Sequence, residues 1–547
     1  MATHAETAPG FTAARGGRLA PALALTRRAF YDAKIRTLVF AYLFAAVAYI
    51  QPVGYRGAYP KLADRIAFAN SFGDNNAVRL FYGKPYDLLS VGGYTAWRVG
   101  GTLAIFAAVW GLLAAVRALR AEEEAGRAEL VLAGIIRRTT AYESALVAIA
   151  AGAAILWLAS FLGLVIGGLP AGDSAFLALA IASVIPVFVG VGAVASQLAP
   201  TRRIALELGG AVVAIAFVLR TIADTSPSAE WLRWATPLGW AEDMQPFHNP
   251  QPAVLLLPLI TSAALLVIAG RIAVRRDVGS AVLSARDSAE PRLALLSSTT
   301  AHALREERLA LAVWVLSVSA FAFIVGVIAK SISNAGISKS LQNEFAKLGT
   351  GSIATPTGYL AFTFIFFVLV AALFVCAQVG AARGEEAEQQ LETVLALPVS
   401  RRGWLGGRLG LAVGGAAVLS LASGFFVWAG AQSQGISISL PKMLEAGANC
   451  MPIAILFLGI AVLAYAIVPR ASTGIAYGLV TLAFLWQLFG SLLSVPKWLL
   501  DATPFAHIGM VPAQPFRVGA AVLMVVIGVV AGVAAILWFE RRDLMGA

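Results

Sequence analysis

The sequence RAEEEAGRAELVLA at residues 120–133 returns in outline 263 positions later as RGEEAEQQLETVLA at residues 383–396. Aligned without gaps, the two stretches share a leading arginine, two adjacent glutamates, a third glutamate and a leucine three residues after it. Each stretch directly follows one long apolar segment and precedes another. We therefore expect a membrane protein built twice, with a charged hairpin between the second and third apolar segments of each copy.

The composition agrees with a membrane protein, because 59% of the residues are hydrophobic and only 13% are charged. A soluble domain usually carries about a quarter charged residues. A helix needs about 20 apolar residues to cross a bilayer. Twelve segments approach this length: 35–53, 94–117, 141–168, 174–198, 205–223, 253–273, 309–328, 359–379, 405–430, 449–468, 473–495 and 518–538.

The predicted fold is an all-α integral membrane protein of twelve transmembrane helices. Further matches between the halves, such as Trp231–Pro237 with Trp498–Pro504 and Arg275–Asp277 with Arg541–Asp543, support a duplication. Because each copy holds an even number of spans, the two six-helix repeats should be parallel and related by pseudo-twofold symmetry. We expect the first repeat at residues 1–275, a cytoplasmic linker at 276–308 and the second repeat at 309–547.

The distribution of basic residues predicts the orientation in the membrane. If the N-terminus is cytoplasmic, the C-terminus is cytoplasmic too, and about two thirds of the 41 lysines and arginines lie on that side. The net charge of +11 therefore indicates topology and contact with anionic membrane lipid. The basic residues are spread over many short loops, so we expect no nucleic-acid partner.

The sequence contains no recognisable catalytic or metal-binding motif. No segment fits the Gly-x-x-x-x-Gly-Lys-Ser/Thr pattern of a phosphate-binding loop. The four histidines are scattered without the spacing of metal ligands, and the two cysteines, Cys376 and Cys450, offer no disulfide framework. We therefore expect no catalytic residues, no metal and no cofactor bound by this chain.

The second acidic hairpin has the periodicity of an amphipathic helix over residues 383–396. In such a helix, Glu385, Glu388 and Glu392 share one face, and Leu391, Val394 and Leu395 share another. A short helix of this kind, ending at Pro398, could dock onto a partner protein. The alternative is a solvated connector with a charged face, and recurrence of the pattern in both halves favours docking.

These features resemble the permease of a type-2 ABC exporter, and more loosely the fused tetronasin-type antibiotic and multidrug exporters of actinobacteria. The resemblance implies that the hairpins rest on a separate soluble ATPase, present in two copies, which binds ATP and Mg. It also implies a multi-pass protein of the bacterial cell membrane. The residues that match the coupling motif are Glu122, Glu123, Glu129 and Leu132 in the first half, and Glu385, Glu386, Glu392, Leu395, Pro398, Ser400 and Arg401 in the second.

The first hairpin departs from this pattern. Gly134 and Ile135 stand where the second hairpin has Leu397 and Pro398, and Arg137 replaces Ser400. We therefore expect the second hairpin to matter more for coupling.

Aromatic residues are the candidate lining of a transport path. By the resemblance, the second and fifth spans of each half line this path, which would suit a hydrophobic or amphipathic small molecule. The candidates are Phe106, Trp110, Phe217, Phe362, Phe366, Phe367, Phe484, Trp486 and Phe489. Ionisable residues near span ends are expected to reach the membrane interface instead. These are Arg98, Glu143, Glu207 and Arg220.

Three functions remain open. The first is an ABC exporter permease that moves a hydrophobic antibiotic, drug or lipid-like compound outward. The second is a twelve-span secondary transporter, although the Gly-x-x-x-Asp-Arg pattern of the major facilitators is missing between spans two and three. The third is a membrane enzyme or scaffold, which the missing catalytic cluster disfavours.

Overall fold

The described part of the chain forms two helical units that divide between residues 289 and 290. The computed structural model describes residues 19–73, 78–79, 82–134, 136–277, 280–283, 298–333, 355–387, 389–489, 498 and 501–544. Within these ranges the secondary structure is helical, with no strand. The division lies inside the predicted linker, and the limits of the three predicted regions stay a prediction.

The first unit contains nine α-helices of six or more residues, besides the three-residue helix Glu122–Glu124. They are α1 (Leu19–Ala58), α2 (Leu62–Phe72), α3 (Val91–Val116), α4 (Arg127–Leu132), α5 (Arg138–Ile166), α6 (Ala171–Leu198), α7 (Arg202–Thr225), α8 (Pro237–Asp243) and α9 (Leu256–Arg275) among the described residues. A π-helical turn, Arg117–Ala121, extends α3 into the first hairpin, and a 3-10 helix, Pro227–Ala235, connects α7 to α8.

The second unit repeats the order of the long helices. Its α-helices are α10 (Thr299–Ser333), α11 (Pro356–Ala387), α12 (Gln390–Leu395), α13 (Arg401–Ser433), α14 (Leu440–Ala448), α15 (Met451–Ile467), α16 (Ser472–Phe489) and α17 (Val518–Arg541) among the described residues. Helices α5 and α13, the third spans, begin 263 residues apart, which is the same offset that aligns the two hairpins.

Eleven helices of the described chain are long and apolar enough to cross a membrane. They correspond to eleven of the twelve predicted spans. The twelfth, predicted at 473–495, coincides with α16, and its remaining residues 490–495 lie outside the described ranges. A multi-pass helical membrane protein is therefore confirmed, and the count of twelve stays a prediction.

The second and fourth spans form the buried centre of each unit. In the first unit, 61% of the most apolar window of the second span and 67% of that of the fourth are buried. In the second unit the value is 67% for both spans. The first span packs mainly on the third, and the fourth packs on both the second and the sixth, in each unit. This common packing is what a duplication would produce.

Glycines allow the closest helix contacts in the second unit. Where α15 meets α17, a Cβ on Gly459 would overlap the carbonyl oxygen of Gly528, and a Cβ on Gly528 would overlap that of Ile455. Small residues let helix backbones approach in this way, which favours van der Waals packing inside a membrane.

One hydrogen bond recurs in both units at the end opposite the hairpins. Thr236, before α8, donates from its hydroxyl to the carbonyl oxygen of Ala216 on the fifth span at 3.0 Å. Thr503 donates to the carbonyl oxygen of Ala483 on α16, also at 3.0 Å. The matching Thr-Pro motifs in the sequence thus anchor the segment after each fifth span.

Candidate functional site

Both acidic hairpins turn at the same aligned position. Gly126 has a φ of 71° and Gln389 has a φ of 61°, and each directly precedes a six-residue helix, α4 or α12. This left-handed conformation is easy for glycine and unfavourable for glutamine. The prediction of one continuous helix over residues 383–396 is therefore wrong. The turn breaks the helix, so Glu385 and Glu392 belong to different helices.

The second glutamate of each hairpin is held by an arginine that follows the sixth span. Glu123 accepts two hydrogen bonds from Arg276, at 2.7 and 2.6 Å, and one from Arg120 at 2.9 Å. Glu386, which is 2% exposed, accepts two from Arg542 at 2.8 and 2.7 Å. Arg276 reaches both oxygens of Glu123 from one nitrogen, whereas Arg542 uses its two terminal nitrogens, one for each oxygen of Glu386. A two-pronged arginine–carboxylate pair like the latter is strong and geometrically specific.

Further hydrogen bonds complete these two braces. The Tyr465 hydroxyl donates to Glu386 at 2.6 Å. Arg120, which is 3% exposed, also donates to the carbonyl oxygens of Pro200 and of Ser280, the latter at 3.1 Å. Glu123 and Glu386 thus hold the base of their hairpins against their own units.

The first glutamates have different partners in the two units. Glu122 pairs with Arg127 at the start of α4, at 2.6 and 2.9 Å. Glu385 instead pairs with Arg408 on α13, which also contacts Glu307 on α10. Arg408 is 6% exposed, so the guanidinium at the centre of this second cluster is buried.

The short helices place their third glutamates outward. Glu129 on α4 and Glu392 on α12 are exposed, whereas Leu132 and Leu395 are half-buried. Leu391 is fully buried and joins the core of the second unit. The sequence did not single out Leu130, which is 79% exposed beside Glu129, or Leu397, which is 62% exposed just after α12.

The remaining motif residues of the second hairpin lie at or just before the start of the third span. Ser400 caps α13, because its hydroxyl accepts from the amide of Gly403 at 3.0 Å. Arg401 donates to the carbonyl oxygen of Arg542 at 2.6 Å, and Pro398 is exposed. Arg137, at the position of Ser400 in the first hairpin, makes no side-chain cap. The motif difference therefore changes the start of the third span.

The candidate path residues fall into two classes. Trp110, Phe367 and Phe484 are buried within their own units, at 5%, 2% and 6% exposure. Phe106 is 38% exposed, and the half-buried candidates are Phe217, Phe362, Phe366 and Trp486. Phe366 and Phe484 meet edge to face with their ring centres 5.5 Å apart, which joins the second and fifth spans of the second unit. The side chain of Phe489 lies outside the described residues.

One expected interfacial residue is buried instead. Arg220 on α7 is 1% exposed, so the prediction that it reaches the membrane interface is wrong. Its Nε lies 2.6 Å from Glu242 and 3.2 Å from Asp224, and these two carboxylates compensate its charge. The other three behave differently: Glu143 and Glu207 are exposed, and Arg98 lies half-buried 3.7 Å from the ring centre of Tyr82.

Arg220 belongs to a buried charge network that the sequence did not reveal. Arg233 donates to Asp224 at 2.8 Å and to Asp243 at 3.3 Å, and the Tyr86 hydroxyl also donates to Asp243 at 3.2 Å. The residues come from the loop before α3, from α7, from the 3-10 helix and from α8. Their wide separation in sequence explains why no local pattern indicated the cluster.

Burial shifts the protonation of the acidic groups in this network. It raises the pKa of Glu242 well above the ordinary value, against the opposing effect of Arg220. It also raises the pKa of Asp243. Burial by itself would lower the pKa of the Arg233 guanidinium, but the nearby Tyr86, Asp224 and Asp243 have a larger opposite effect, so this pKa is raised.

No group of histidine, cysteine, aspartate and glutamate side chains that could hold a metal ion occurs among the described residues. The arrangement at the hairpins consists of braced helix ends with exposed acidic and apolar side chains. Such an arrangement is suited to contact with another protein.

Comparison with known proteins assigns the chain to a family. The family described as "Multidrug efflux system permease Rv1217c, C-terminal domain" matches residues 67–275 and 296–540. The multidrug efflux system permease protein Rv1217c of Mycobacterium tuberculosis (strain ATCC 25618 / H37Rv) is 32% identical over 507 residues, which cover 91% of this chain and 90% of the relative. The chain belongs to this family of multidrug efflux permeases, and it is a multi-pass membrane transport protein.

Proposed function

We propose that this member of the multidrug efflux permease family is the membrane-spanning subunit of an ABC exporter. A separate soluble ATPase, bound in two copies, would hydrolyse ATP with Mg and drive transport. The cargo would be a hydrophobic or amphipathic compound, such as an antibiotic, a drug or a lipid-like molecule. Both termini and both hairpins would face the cytoplasm, as the distribution of lysine and arginine indicates.

The observation that carries this proposal is the pair of braced hairpins. Each unit fixes the base of its hairpin by a glutamate–arginine pair, whose carboxylate is buried in the second unit and half-buried in the first. Each unit then presents a short helix with an exposed glutamate, Glu129 or Glu392. A rigid base is what transmission of force requires, because motion of the short helix then moves the spans. An exposed leucine near each short helix, Leu130 beside Glu129 and Leu397 just after α12, adds apolar contact area for a partner.

The two hairpins are expected to contribute unequally. The second keeps the Pro398 and Ser400 pattern, and its serine caps α13. The first turns at a glycine and lacks that cap. The second hairpin should therefore carry more of the coupling.

The coupling role is tested on the purified complex with its ATPase. Glu392→Gln combined with Leu395→Ala should lower substrate-stimulated ATP hydrolysis while leaving the protein folded. A matched control is Lys442→Gln with Glu445→Gln, which removes an ion pair of 3.0 Å on the unrelated helix α14. Equal stimulation in the coupling variant, the control and the wild type would contradict the role of the second hairpin.

The energy source is tested in cells. Affinity purification in mild detergent should recover a soluble ATPase at two copies per chain. Efflux of a fluorescent hydrophobic dye should persist when the proton gradient is collapsed and should stop when ATP is depleted. The opposite pattern would favour the secondary transporter.

The cargo path is best tested at aromatic residues that are not needed for packing. Phe106 is 38% exposed and Trp486 is half-buried, whereas Phe484 lies in the core of its unit. Phe106→Ala and Trp486→Ala should lower efflux of hydrophobic dyes without lowering the amount of folded protein. Phe425→Ala is a control with similar exposure, at 42%, on the third span. If the control lowers efflux as much as the two variants, the aromatic path is wrong.

A further inference from the structure

A cavity of about 200 Å³ opens beside the first hairpin. It is enclosed by α1, the end of α3, the short helix α4 and the start of α5. A single water needs only about 10–15 Å³ of such space, so the cavity is large enough for part of an organic ligand. Its inner wall is apolar and includes Trp110, Ala114, Ala145, Ala148 and Ile149.

Arginines surround the entrance of this cavity. Two of them have acidic partners: Arg28 lies 3.9 Å from Asp32, and Arg127 pairs with Glu122. The other two, Arg36 on α1 and Arg117 on the π-helical turn, are exposed and have no ion-pair or hydrogen-bond partner among the described residues. They are close enough to repel each other electrostatically, and Glu122, which is already paired with Arg127, has a smaller opposing effect on Arg117. An anion between them would remove that repulsion.

The second unit has a buried arginine at the position of one cavity residue. Arg408 aligns with Ala145 at the offset of 263 that relates the hairpins, and it fills its site by pairing with Glu385 and Glu307. Gly380 aligns with Arg117 and brings no charge. The first unit therefore has a small residue, Ala145, where the second unit has an arginine, and a cation, Arg117, where the second unit has a glycine. Because the two units share a scaffold, these differences are not a consequence of the fold.

We propose that this cavity binds one anionic phospholipid from the leaflet on the hairpin side of the membrane. The phosphate lies between Arg36 and Arg117, and the first part of one acyl chain enters the apolar space beside Trp110. Both arginines stand at the hairpin-side ends of apolar segments, where long cationic side chains reach lipid headgroups. The apolar wall favours a lipid over free phosphate, because inorganic phosphate would leave that wall unfilled.

The test measures binding to the full purified chain in detergent with three probes. They are dioctanoyl phosphatidylglycerol, dioctanoyl phosphatidylcholine and inorganic phosphate. We expect saturable binding of phosphatidylglycerol, at least five-fold weaker binding of phosphatidylcholine and no saturable binding of phosphate. Saturable binding of phosphate at the same site would show that the site takes a free anion, and it would overturn the lipid proposal. Equal affinity for the two lipids would also overturn the proposal.

Variants separate the charge from the cavity. Arg36→Gln with Arg117→Gln should weaken phosphatidylglycerol binding by about five-fold for each arginine lost. Replacing both by lysine should retain most of the affinity. Arg402→Gln removes an exposed arginine elsewhere and should change nothing. Unchanged lipid affinity in the double glutamine variant would refute the phosphate site.

The cavity itself is tested with the residue that the second unit uses. Ala145→Arg should place a guanidinium near Glu122, fill the space and abolish binding of both lipids. If this variant does not fold, Ala145→Met fills the cavity without a charge and should have the same effect. Circular dichroism and gel filtration establish that each variant is folded. Wild-type lipid affinity in a folded variant with the cavity filled would refute the acyl site.

Discussion

The brace at the base of the second hairpin should be a stability element rather than a contact for the ATPase. Glu386→Gln removes the charge that accepts two hydrogen bonds from Arg542 and one from Tyr465, and it leaves Arg542 without its carboxylate. Breaking a buried ion pair from one side typically costs about 3–5 kcal/mol. For a unit of this size, that loss corresponds to a fall in melting temperature of roughly 6–20 °C. Glu392→Gln, on an exposed side chain, should change stability by no more than about 0.5 kcal/mol.

The assay is thermal unfolding of the purified chain in detergent, with the coupled ATPase rate measured at a temperature where each variant is folded. We expect Glu386→Gln to lower the melting temperature and Glu392→Gln to lower coupling without affecting unfolding. In the first unit, Glu123→Gln should also lower the melting temperature, but by less, because Glu123 is 19% exposed and its pair with Arg276 is only partly buried. The reasoning is refuted if Glu386→Gln unfolds within 2 °C or so of the wild type.

Three further predictions concern stability and are measured by the same unfolding assay. Leu391→Ala should cost about 2–5 kcal/mol because Leu391 is fully buried, while Leu397→Ala, at a site 62% exposed, should be nearly neutral; equal losses would contradict this. Gly126→Ala should cost about 1 kcal/mol from its φ of 71° alone, since nothing lies within 4 Å of the added carbon. Burial raises the pKa of Glu242 in the folded state above its ordinary value of 4.5, so its contribution to stability is present below pH 4.5 and is lost as the pH rises through the folded-state pKa. Glu242→Gln should therefore flatten the fall in melting temperature above pH 4.5, and an unchanged slope would rule this out.

The sequence was sufficient to predict what depends on local pattern. The long apolar runs predicted eleven spans that the structure contains, and the repeated acidic stretches located both hairpins. It also contained a signal for the brace, because Arg275-Arg276-Asp277 and Arg541-Arg542-Asp543 match after the last span of each half. From the sequence alone this match indicates only a duplication, because the sequence does not show which carboxylate an arginine contacts.

What the sequence could not predict depends on contacts between distant segments. Arg220 looked like a residue near a span end, and only the fold places Asp224, Glu242 and Arg233 around it. The helix break at Gln389 was missed for a different reason. Glutamine is a good helix former, and its left-handed conformation is imposed by the packing of the hairpin rather than by its own preference.

The two units keep the same scaffold but differ in the placement of buried charge. Both have the hairpin brace and the threonine anchor, which hold the ends of the spans. The charge network of the first unit is not matched in sequence, because Leu500 aligns with Arg233 and Gly509 with Glu242. At the hairpin end it is the second unit that has the additional buried charge, because Arg408 stands where the first unit has Ala145. The braces and threonine anchors that both halves share can be explained by folding alone. Buried charges are costly and are not needed for this scaffold, because each unit folds without those of the other. The positions where the halves differ are therefore where each unit has acquired a role of its own, and variants at these positions should affect transport more selectively than variants at the shared braces.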